Sequence, residues 1–507
     1  MDAQDVLESP EKMVPDLIKL DQIPDNFLQH VETDLLETST FQEATASATG
    51  YASFNLAQKG FLHSHSKILV GLVPSAAGQM LPVNIGIASI VDRAVLKVRK
   101  SGQVINDISD FGHFHAIKSA QISNETNRER EQYMTGRLMN KEFKHYHNQG
   151  GGVLGYDQNK SLGYGLDNGR EYSQGSAGAA AGISQNGTAQ PFSLMTTGAV
   201  AESPTYSIDI SDLFLFMKTQ SLPLYMIDQG LTLELYWKQT GQRVVNAGGV
   251  TTPITIDRNE LKFVADYITY VEDDAMNRYR DANPVIDMSF SDYRLSKNTR
   301  SQAELQSGFV RQLGMNNRVV PRVITIISNE TGGGAVPALA DSLLREYNMT
   351  APVQNDTAGA GAVVVPGTIS YNIRYKSRFE FSQPLVNKAQ AFTQLVMSEG
   401  LPFVSRQEYS RDQRGYLEGR TAGGVLVGGV NSDVEFQGVR QPQALGGQFF
   451  MLGTRLTNGR VGNDGVELHL TAQMPAVAGG ANYVIRTYLE YVRRARLENG
   501  EMEIMNA

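Results

Sequence analysis

Histidine is the residue type in this chain whose spacing could support metal chemistry. Six of the eight histidines form His-x-His pairs, which are His63/His65, His113/His115 and His145/His147. On a β-strand, both members of such a pair project from the same face and could share one metal ion. The pairs are therefore the first candidates for a functional site, although solvated strand or loop positions would produce the same pattern.

Cupin enzymes are jelly rolls that use paired histidines of this kind. Their first motif adds a Glu four or five positions after the second His, and a third His follows later in the barrel. No Glu stands at that distance after His65, His115 or His147. The late His469 is expected on the polar face of its strand. We therefore predict no metal site and no cofactor, and keep a bicupin-like metalloenzyme as an alternative.

Other catalytic motifs are missing from the sequence. It contains no P-loop, no His-Glu-x-x-His and no Gly-x-Ser-x-Gly. Asp110-Phe-Gly112 spells the kinase tripeptide, but no catalytic loop follows it, and we interpret it as a turn after a strand. The chain has no cysteine, which excludes disulfides, thiolate metal sites and cysteine nucleophiles. We predict no catalytic residues and no enzymatic activity.

Composition favours a β-rich protein. Only 19% of the 507 residues are charged, and 49 are glycine, which is unlike coiled coils, helical repeats or disordered chains. The net charge is −8 and no basic segment stands out, so we expect no direct binding of nucleic acid. The start, Met1 to Asp5, lacks the features of a signal peptide.

Alternating apolar and polar residues predict many half-buried strands. In Leu231–Trp237 the residues Leu233, Leu235 and Trp237 share one face, and Val466, Leu468 and Leu470 alternate with polar residues in the same way. The uncharged stretch from Ile68 to Val91 is interrupted by Pro and Gly. It predicts two buried strands, Lys67–Val73 and Val83–Val91, rather than a membrane span. Recurrent strands separated by turn residues are typical of an all-β sandwich or barrel.

The chain divides into four segments. Residues 1–44 form an acidic N-terminal arm whose apolar spacing predicts one or two short amphipathic helices outside the main core. Tyr267-Ile-Thr-Tyr-Val271 and Tyr488-Leu-Glu-Tyr-Val492 share a Tyr-x-x-Tyr-Val string and suggest two similar β units. We assign residues 45–272 to the first, 273–284 to a linker helix and 285–507 to the second. Capping residues predict helices at Asp273–Asp281 and Asn387–Glu399.

Three turn-rich stretches of low charge predict long loops. The longest is Asn148–Val200, in which Gly, Ala, Ser and Thr dominate and no charged residue stands between Glu171 and Glu202. The weaker candidates are Thr331–Pro366 and Arg414–Gly429. Loops this long inside a domain are usually functional or mobile.

An ordered series of segments resembles the double jelly-roll major capsid proteins of eukaryotic double-stranded DNA viruses, a group that includes virophages, Polinton-like viruses and nucleocytoplasmic large DNA viruses. The resemblance extends over about residues 60–285 and is looser beyond. Ser101 and the Tyr-Trp ending at residues 236–237 depart from the usual pattern. The segments that carry the resemblance are Ala94–Asn106, Tyr206–Met217, Ser221–Leu224, Leu231–Trp237, Leu261–Tyr270 and Glu272–Arg280.

The resemblance implies two consecutive eight-stranded antiparallel jelly rolls with long loops and a few short helices. It further implies a homotrimer that forms a pseudo-hexameric capsomer and tiles an icosahedral shell. The expected partners are neighbouring capsomers, penton proteins and minor capsid proteins, in a virion capsid assembled inside the host cell. The sequence makes no prediction about an internal membrane. A β-rich fibre, adhesion or surface-layer protein is the other alternative.

Overall fold

The computed structural model describes the parts of the chain that carry the sheets. The described residues are 29–73, 79–80, 86–122, 134–135, 196–197, 200–201, 205–218, 221–240, 245–246, 254–270, 273–329, 349, 363–364, 369–386, 388–398, 420–421, 450–457, 459–474 and 482–506. The three predicted loops fall almost entirely outside these ranges, as do residues 1–28 and the pair His145/His147.

The described residues before position 271 form fifteen strands. They are β1 (Gln29–Glu37), β2 (Thr40–Gln42), β3 (Gly50–Asn55), β4 (Phe61–Leu62), β5 (Lys67–Val73), β6 (Gln79–Met80), β7 (Val91–Val98), β8 (Val104–Ser109), β9 (Thr196–Thr197), β10 (Val200–Ala201), β11 (Thr205–Asp209), β12 (Leu222–Pro223), β13 (Leu231–Trp237), β14 (Val245–Asn246) and β15 (Thr255–Tyr270). The helices here are α1 (Phe111–Ile122) and α2 (Ile210–Leu213), with 3-10 turns at Gly86–Ile90, Leu215–Lys218 and Leu224–Met226.

Helix α3 (Asp273–Ala282) leads into the second half. Its strands are β16 (Val285–Ser301), β17 (Phe309–Gly314), β18 (Arg322–Asn329), β19 (Val363–Val364), β20 (Ile369–Tyr375), β21 (Arg378–Phe379), β22 (Arg420–Thr421), β23 (Met451–Arg455), β24 (Val466–Ala472), β25 (Asn482–Glu498) and β26 (Glu501–Asn506). Helices α4 (Gln302–Ser307) and α5 (Lys388–Ser398) complete it. The two helices predicted from capping residues are confirmed as α3 and α5, to within one residue at each end.

Both halves have the same sheet topology. In the first, β1, β15, β5 and β11 lie side by side in one antiparallel sheet, and β3, β13, β7 and β8 in a second. In the second half the corresponding orders are β16-β25-β18-β23 and β17-β24-β20-β21. When only the eight strands named for each half are numbered 1 to 8 in chain order, both halves have one sheet in the order 1-8-3-6 and a second sheet in the order 2-7-4-5. This pairing is the jelly-roll topology, so the predicted fold of two consecutive eight-stranded jelly rolls is confirmed.

Alternation along the strands explains how each sandwich closes. Along β24, residues 466, 468, 470 and 472 are buried and the residues between them are partly exposed, as predicted. Strand β13 has its predicted bounds, and Trp237 at its end is completely buried. Across the first sandwich, the Phe54 ring on β3 lies 5.9 Å from the Phe263 ring on β15. The apolar faces of the two sheets thus meet in one core.

The helices predicted in the arm are wrong for its described part. Gln29–Glu37 is strand β1, which pairs antiparallel with β15 in register from Gln29↔Tyr270 to Glu37↔Lys262. The first jelly roll therefore begins at β1 and not at residue 45. The apolar spacing suggested a helix because both faces of β1 carry apolar residues. Leu36 packs against the core, whereas Leu35 and Val31 on the other face are exposed.

Three further expectations need correction. Gly86–Ile90 is a 3-10 turn, so the strand predicted over Val83–Val91 is wrong there, and residues 83–85 lie outside the described part. The segment Tyr206–Met217, which the resemblance implies to contain an aromatic strand, contributes only its first four residues to β11, and Ile210–Leu213 and Leu215–Lys218 are helical turns. The shared Tyr-x-x-Tyr-Val string lies on the last sandwich strand of each half, β15 and β25, but its first tyrosine points in different directions in the two halves. Tyr267 faces its own sandwich core, where its hydroxyl accepts a hydrogen bond from the Ala57 amide, whereas Tyr488 faces the other half.

No helix among the described residues has the length and apolar character needed to span a membrane.

Deleting residues 1–40 is expected to destabilise the first jelly roll far more than deleting residues 1–28. The longer deletion removes β1, which pairs with β15 over nine positions and carries Glu32 and Asp34, both ion-paired with Lys59. Thermal unfolding followed by circular dichroism measures the difference, and the shorter deletion is the control because it retains β1. Equal melting temperatures would contradict the role of β1.

Candidate functional site: the junction between the two jelly rolls

The two histidine pairs in the described part of the chain, His63/His65 and His113/His115, lie in different surroundings. His63 and His65 lie in the bend between β4 and β5, with ring centroids 4.4 Å apart, and the His65 amide donates a hydrogen bond to Nδ1 of His63. His469 lies on β24 beside the Phe379 ring. Within the described ranges, no group of three His, Asp or Glu side chains is placed to hold a metal ion.

His113 and His115 lie on helix α1 instead of a strand, so they do not share a face. The His115 ring packs against Phe111, with centroids 5.7 Å apart. His113 is almost completely buried, and its Nδ1 lies 2.6 Å from Oδ1 of Asp110. The pair thus separates into a packing residue and a polar residue at the boundary between the two halves.

Asp110 forms the turn that was predicted from the Asp-Phe-Gly tripeptide. It lies between the last residue of β8 and the first of α1 and adopts a left-handed backbone conformation, with φ of 52°. Asp tolerates this conformation better than most residues because its short side chain can hydrogen-bond locally. The turn directs the Asp110 carboxylate out of the first jelly roll, towards the second.

Arg486 on β25 is the partner of Asp110 from the second half. Its Nε lies 2.6 Å from Oδ2 of Asp110, although the two residues are 376 positions apart. The side chain is 1% exposed, and its Nη1 also hydrogen-bonds the Ser328 hydroxyl on β18. The hydroxyl of Tyr488, two residues along β25, donates to the Asp110 carbonyl oxygen at 3.1 Å. Both groups of Asp110 are therefore held by one strand of the other jelly roll.

More charged groups surround this pair. Lys297 on β16 lies 3.6 Å from Oδ2 of Asp110. Lys238, which follows β13, and Asp92 on β7 interact electrostatically with Asp110. Arg486, Lys297 and Lys238 therefore surround Asp110 together with Asp92, and two of these cations, Arg486 and Lys238, also act on His113. An extra positive charge on His113 would be unfavourable in this setting.

Burial and these charges set the protonation states. Burial alone would raise the pKa of the Asp110 carboxyl, but His113 and Arg486 outweigh it and hold that pKa well below its ordinary value. Burial lowers the pKa of His113, Arg486 lowers it further, and the opposing effect of Asp110 is smaller. At neutral pH the junction therefore holds an ionised Asp110 and a neutral His113 whose Nδ1–H donates to the carboxylate.

Aromatic packing closes the junction around the charges. The centroid of the Phe114 ring on α1 lies 4.7 Å from the centroid of the Tyr293 ring on β16 and 5.6 Å from the centroid of the Tyr488 ring on β25. The Lys118 ammonium lies 5.0 Å from the centroid of the Tyr293 ring. Phe216 of the first half contacts Phe290 of the second, with centroids 5.2 Å apart. Aromatic pairs with centroids 4.5–7 Å apart add stability beyond their buried area.

A second ion pair lies at the other end of β25. Arg493 Nη1 is 3.0 Å from Oδ2 of Asp292 on β16 and donates to the carbonyl oxygen of Ile105 in the first half at 2.9 Å. The Tyr491 hydroxyl donates to the same carboxylate oxygen at 2.7 Å. Asp292 is buried, and burial raises the pKa of its carboxyl although the hydrogen bond from Tyr491 and the charge of Arg493 oppose the shift.

The C-terminal hairpin also reaches back to the first half. The carbonyl oxygen of Gly500, in the turn between β25 and β26, accepts a hydrogen bond from the Asp228 amide at 2.9 Å. Gly500 has φ of 79°, and a Cβ there would clash with Asp228, so only glycine fits. The Ile504 amide on β26 donates to the Gln103 side chain at 3.3 Å. Strand β26 was not predicted from the sequence.

The junction fixes the orientation of one jelly roll against the other. Sequence patterns missed its central residue, Arg486, although a signal was present. A single charged residue interrupts the apolar strand Tyr483-Val-Ile-Arg-Thr-Tyr-Leu489, and buried charges are rare unless they are paired. The partner could not be found in this way because Asp110 lies in a turn, where carboxylates are common.

No protein-family model and no curated protein sequence matches the chain. Among solved structures, the quasi-atomic model of the PBCV-1 virus capsid is similar, with a TM-score of 0.53, 11% sequence identity, and 96% of this chain and 98% of that chain covered. The crystal structure of PBCV-1 VP54, fitted into a reconstruction of the virophage Sputnik, gives a TM-score of 0.50 with the same identity and coverage. The chain thus shares the double jelly-roll fold of these capsid proteins over nearly its whole length.

The substitution Arg486→Met is expected to destabilise the protein by about 3–5 kcal/mol, because it leaves the buried Asp110 carboxylate without its partner. The double variant Asp110→Asn/Arg486→Met is expected to lose clearly less unfolding free energy than the sum of the losses in the single variants Asp110→Asn and Arg486→Met. Urea unfolding measures both. The matched control is Arg374→Met, which breaks a more exposed ion pair with Glu467 and is expected to change stability by about 0–1 kcal/mol. Additive losses for Asp110 and Arg486 would contradict the coupling.

Stability is expected to fall as the pH drops below 6.5, the ordinary pKa of histidine. The folded pKa of His113 is lower than this value, so the unfolded chain binds more protons in that range. Asp110 acts separately, because its depressed pKa removes stability only as the pH falls below 3.8. Unfolding free energies at pH 7.5 and 5.5 measure the first effect. The variant His113→Gln should lose less stability across this interval, and an unchanged loss would assign the effect elsewhere.

Proposed function

We propose that the chain is a structural major capsid protein of a double-stranded DNA virus. In this proposal three copies form a pseudo-hexameric capsomer, and capsomers tile an icosahedral shell. The observation that carries the proposal is the tandem of two jelly rolls with identical strand order, locked side by side by a buried junction. The fold shared with the PBCV-1 capsid supports it.

The internal duplication suits a hexagonal tile. Two similar units in one chain present similar outlines, so three chains around an axis supply six units with nearly equal spacing. Such a tile keeps its shape only if the units within a chain do not hinge, and junctions that bury charged pairs and aromatic rings resist hinging. The chain's function then lies in its surfaces, with no catalytic residues, metal or cofactor.

The domain division that we propose follows the tandem. The first jelly roll extends from β1 to residue 272, the linker helix covers residues 273–284 and the second jelly roll covers residues 285–507. Residues 1–28 remain as the acidic arm, with Lys12 and Lys19 as its only basic residues. Its charge argues against contact with the genome and for contact with neighbouring capsomers, minor capsid proteins or penton proteins. The protein would be located in the virion capsid after assembly inside the host cell.

Two other functions make different predictions. A β-rich fibre, adhesion or surface-layer protein needs no linker helix between two matched units and need not form trimers, whereas helix α3 occupies the expected position. A bicupin-like metalloenzyme would bind metal through the His-x-His pairs. Metal analysis of purified protein distinguishes it, because metal that is lost when His63 and His65 are changed to Ala would favour the enzyme.

The native mass of the purified protein tests the proposal. Three chains of 55.6 kDa give 3 × 55.6 = 166.8 kDa, and sedimentation or light scattering is expected to return a value near this. Electron micrographs of the same sample should show hexagonal outlines. A stable monomer at concentrations above those of the infected cell, or a tetramer, would contradict the proposed capsomer.

A further inference from the structure

The acidic arm, residues 1–28, joins the first jelly roll at one end of its sandwich. Gln29 is the first residue of β1 and lies opposite Tyr270, the last residue of β15. We call this end of each sandwich, where its first strand begins and its last strand ends, the base. The loops between the second and third, the fourth and fifth, and the sixth and seventh strands of a jelly roll lie at the same end. The arm therefore starts from the base of the first unit.

The bases of the two units are neighbours. The turn at Gly500, at the end of β25, contacts Asp228 in the loop before β13 of the first half. Ile504 on β26 contacts Gln103, which lies in the turn between β7 and β8. Helix α3, which links the two bases, has ten residues and is about 15 Å long. An extended chain of 28 residues spans about 90 Å, so the base of the second unit lies within reach of the arm.

The loops at the base of the second unit hold one another in place. The Asn317 amide, between β17 and β18, donates a hydrogen bond to the carbonyl oxygen of Gly462, between β23 and β24, at 3.2 Å. The Ser377 hydroxyl, in the turn between β20 and β21, donates to the Asp464 carboxylate at 2.8 Å. Side chains on these loops and on the adjoining strand ends therefore share one ordered surface, which we name the second-unit base.

Exposed cations are concentrated on the second-unit base. None of them forms an ion pair with a carboxylate within the part of the chain that the structure describes. Such a cluster of unpaired positive charge attracts an anionic partner. The exposed cations are Arg311, Lys376, Arg378, Arg455 and Arg460.

The carboxylates at this end do not neutralise these cations, because each is already engaged by another group. The pairs are Asp464 with Ser377, Glu380 with Tyr375, and Glu467 with Arg374. The acidic hairpin around Gly500 lies against the first half.

The base of the first unit carries a smaller excess of positive charge. Lys59 is ion-paired with Glu32 and Asp34, and Lys218 is ion-paired with Asp212. Two exposed cations, at positions 99 and 100, remain in the turn between β7 and β8. The duplicated fold thus presents a strongly basic base on the second unit, beside a more balanced one on the first.

The arm has the complementary charge. Residues 1–28 contain seven acidic residues and two lysines, Lys12 and Lys19. We infer that the arm docks on the second-unit base of its own chain, with its carboxylates against the five exposed cations. Single exposed ion pairs are weak, but several on a tethered segment act together at a high effective concentration.

This docking goes beyond the capsid proposal and does not depend on it. An arm held in this way neutralises the basic surface of its own chain. The contacts with neighbouring capsomers proposed above would then start from an arm already placed at the base.

Carbodiimide coupling of the full-length protein tests the contact, because it joins a carboxylate to a lysine amine only where the two meet. We expect mass spectrometry of the digested product to find Lys376 joined to a carboxylate of residues 1–28. The matched control is Lys100, which is also exposed and occupies the corresponding turn of the first unit. It is expected to give little product with the arm. Coupling of Lys59 to Glu32, whose atoms lie 2.8 Å apart, verifies the reaction.

Charge reversal gives an independent readout in limited trypsin digestion. The variant Lys376→Glu/Arg460→Glu is expected to speed cleavage after Lys12 and Lys19 by about fivefold or more, because proteolysis follows the population of released arm. The control Lys100→Glu/Arg258→Glu makes the same change in net charge at exposed positions away from the second-unit base. Its arm should be cleaved at the wild-type rate. In 1 M salt, where the Debye length is about 3 Å, the difference between the variants should disappear.

Three results would overturn the inference. They are equal cleavage rates for the two variants at low salt, arm products as abundant at Lys100 as at Lys376, and arm products at Lys376 that join two chains. The last appears at the mass of a dimer on denaturing gels and assigns the second-unit base to the arm of another copy. Circular dichroism verifies that both variants fold. The capsid proposal is tested separately by the native mass, which none of these results predicts.

Discussion

The ion pair between Asp110 and Arg486 is the interaction on which the arrangement of the molecule depends. It joins the turn after β8 to the first third of β25 across 376 positions of sequence. Burial makes each charge expensive to leave unpaired, so the two jelly rolls can pack closely here only in an arrangement that brings the two charges together. Ser328, Tyr488 and His113 satisfy the remaining hydrogen-bonding groups, which turns a contact into a defined orientation.

The rest of the junction extends this constraint along the whole length of β25. Aromatic rings from α1 and β16 pack beside the pair. Nearer the C-terminus, Arg493 forms a second ion pair with Asp292. Gly500 brings the last hairpin close to Asp228 because no side chain intervenes. Contacts at several separate points resist rotation in a way that one contact cannot. The two similar units of the chain are therefore held in one fixed arrangement.

The sequence by itself determined the bounds of β13, the alternation along β24 and the positions of helices α3 and α5, because period-two alternation and capping residues are local signals. It also carried an ordered series of segments similar to double jelly-roll capsid proteins. Only the tertiary structure decided that β1 belongs to the first sandwich, that Tyr267 and Tyr488 face opposite ways, and that Asp110 meets Arg486. Those features depend on pairings between distant segments, and an edge strand or a lone turn carboxylate has no local pattern that specifies its partner.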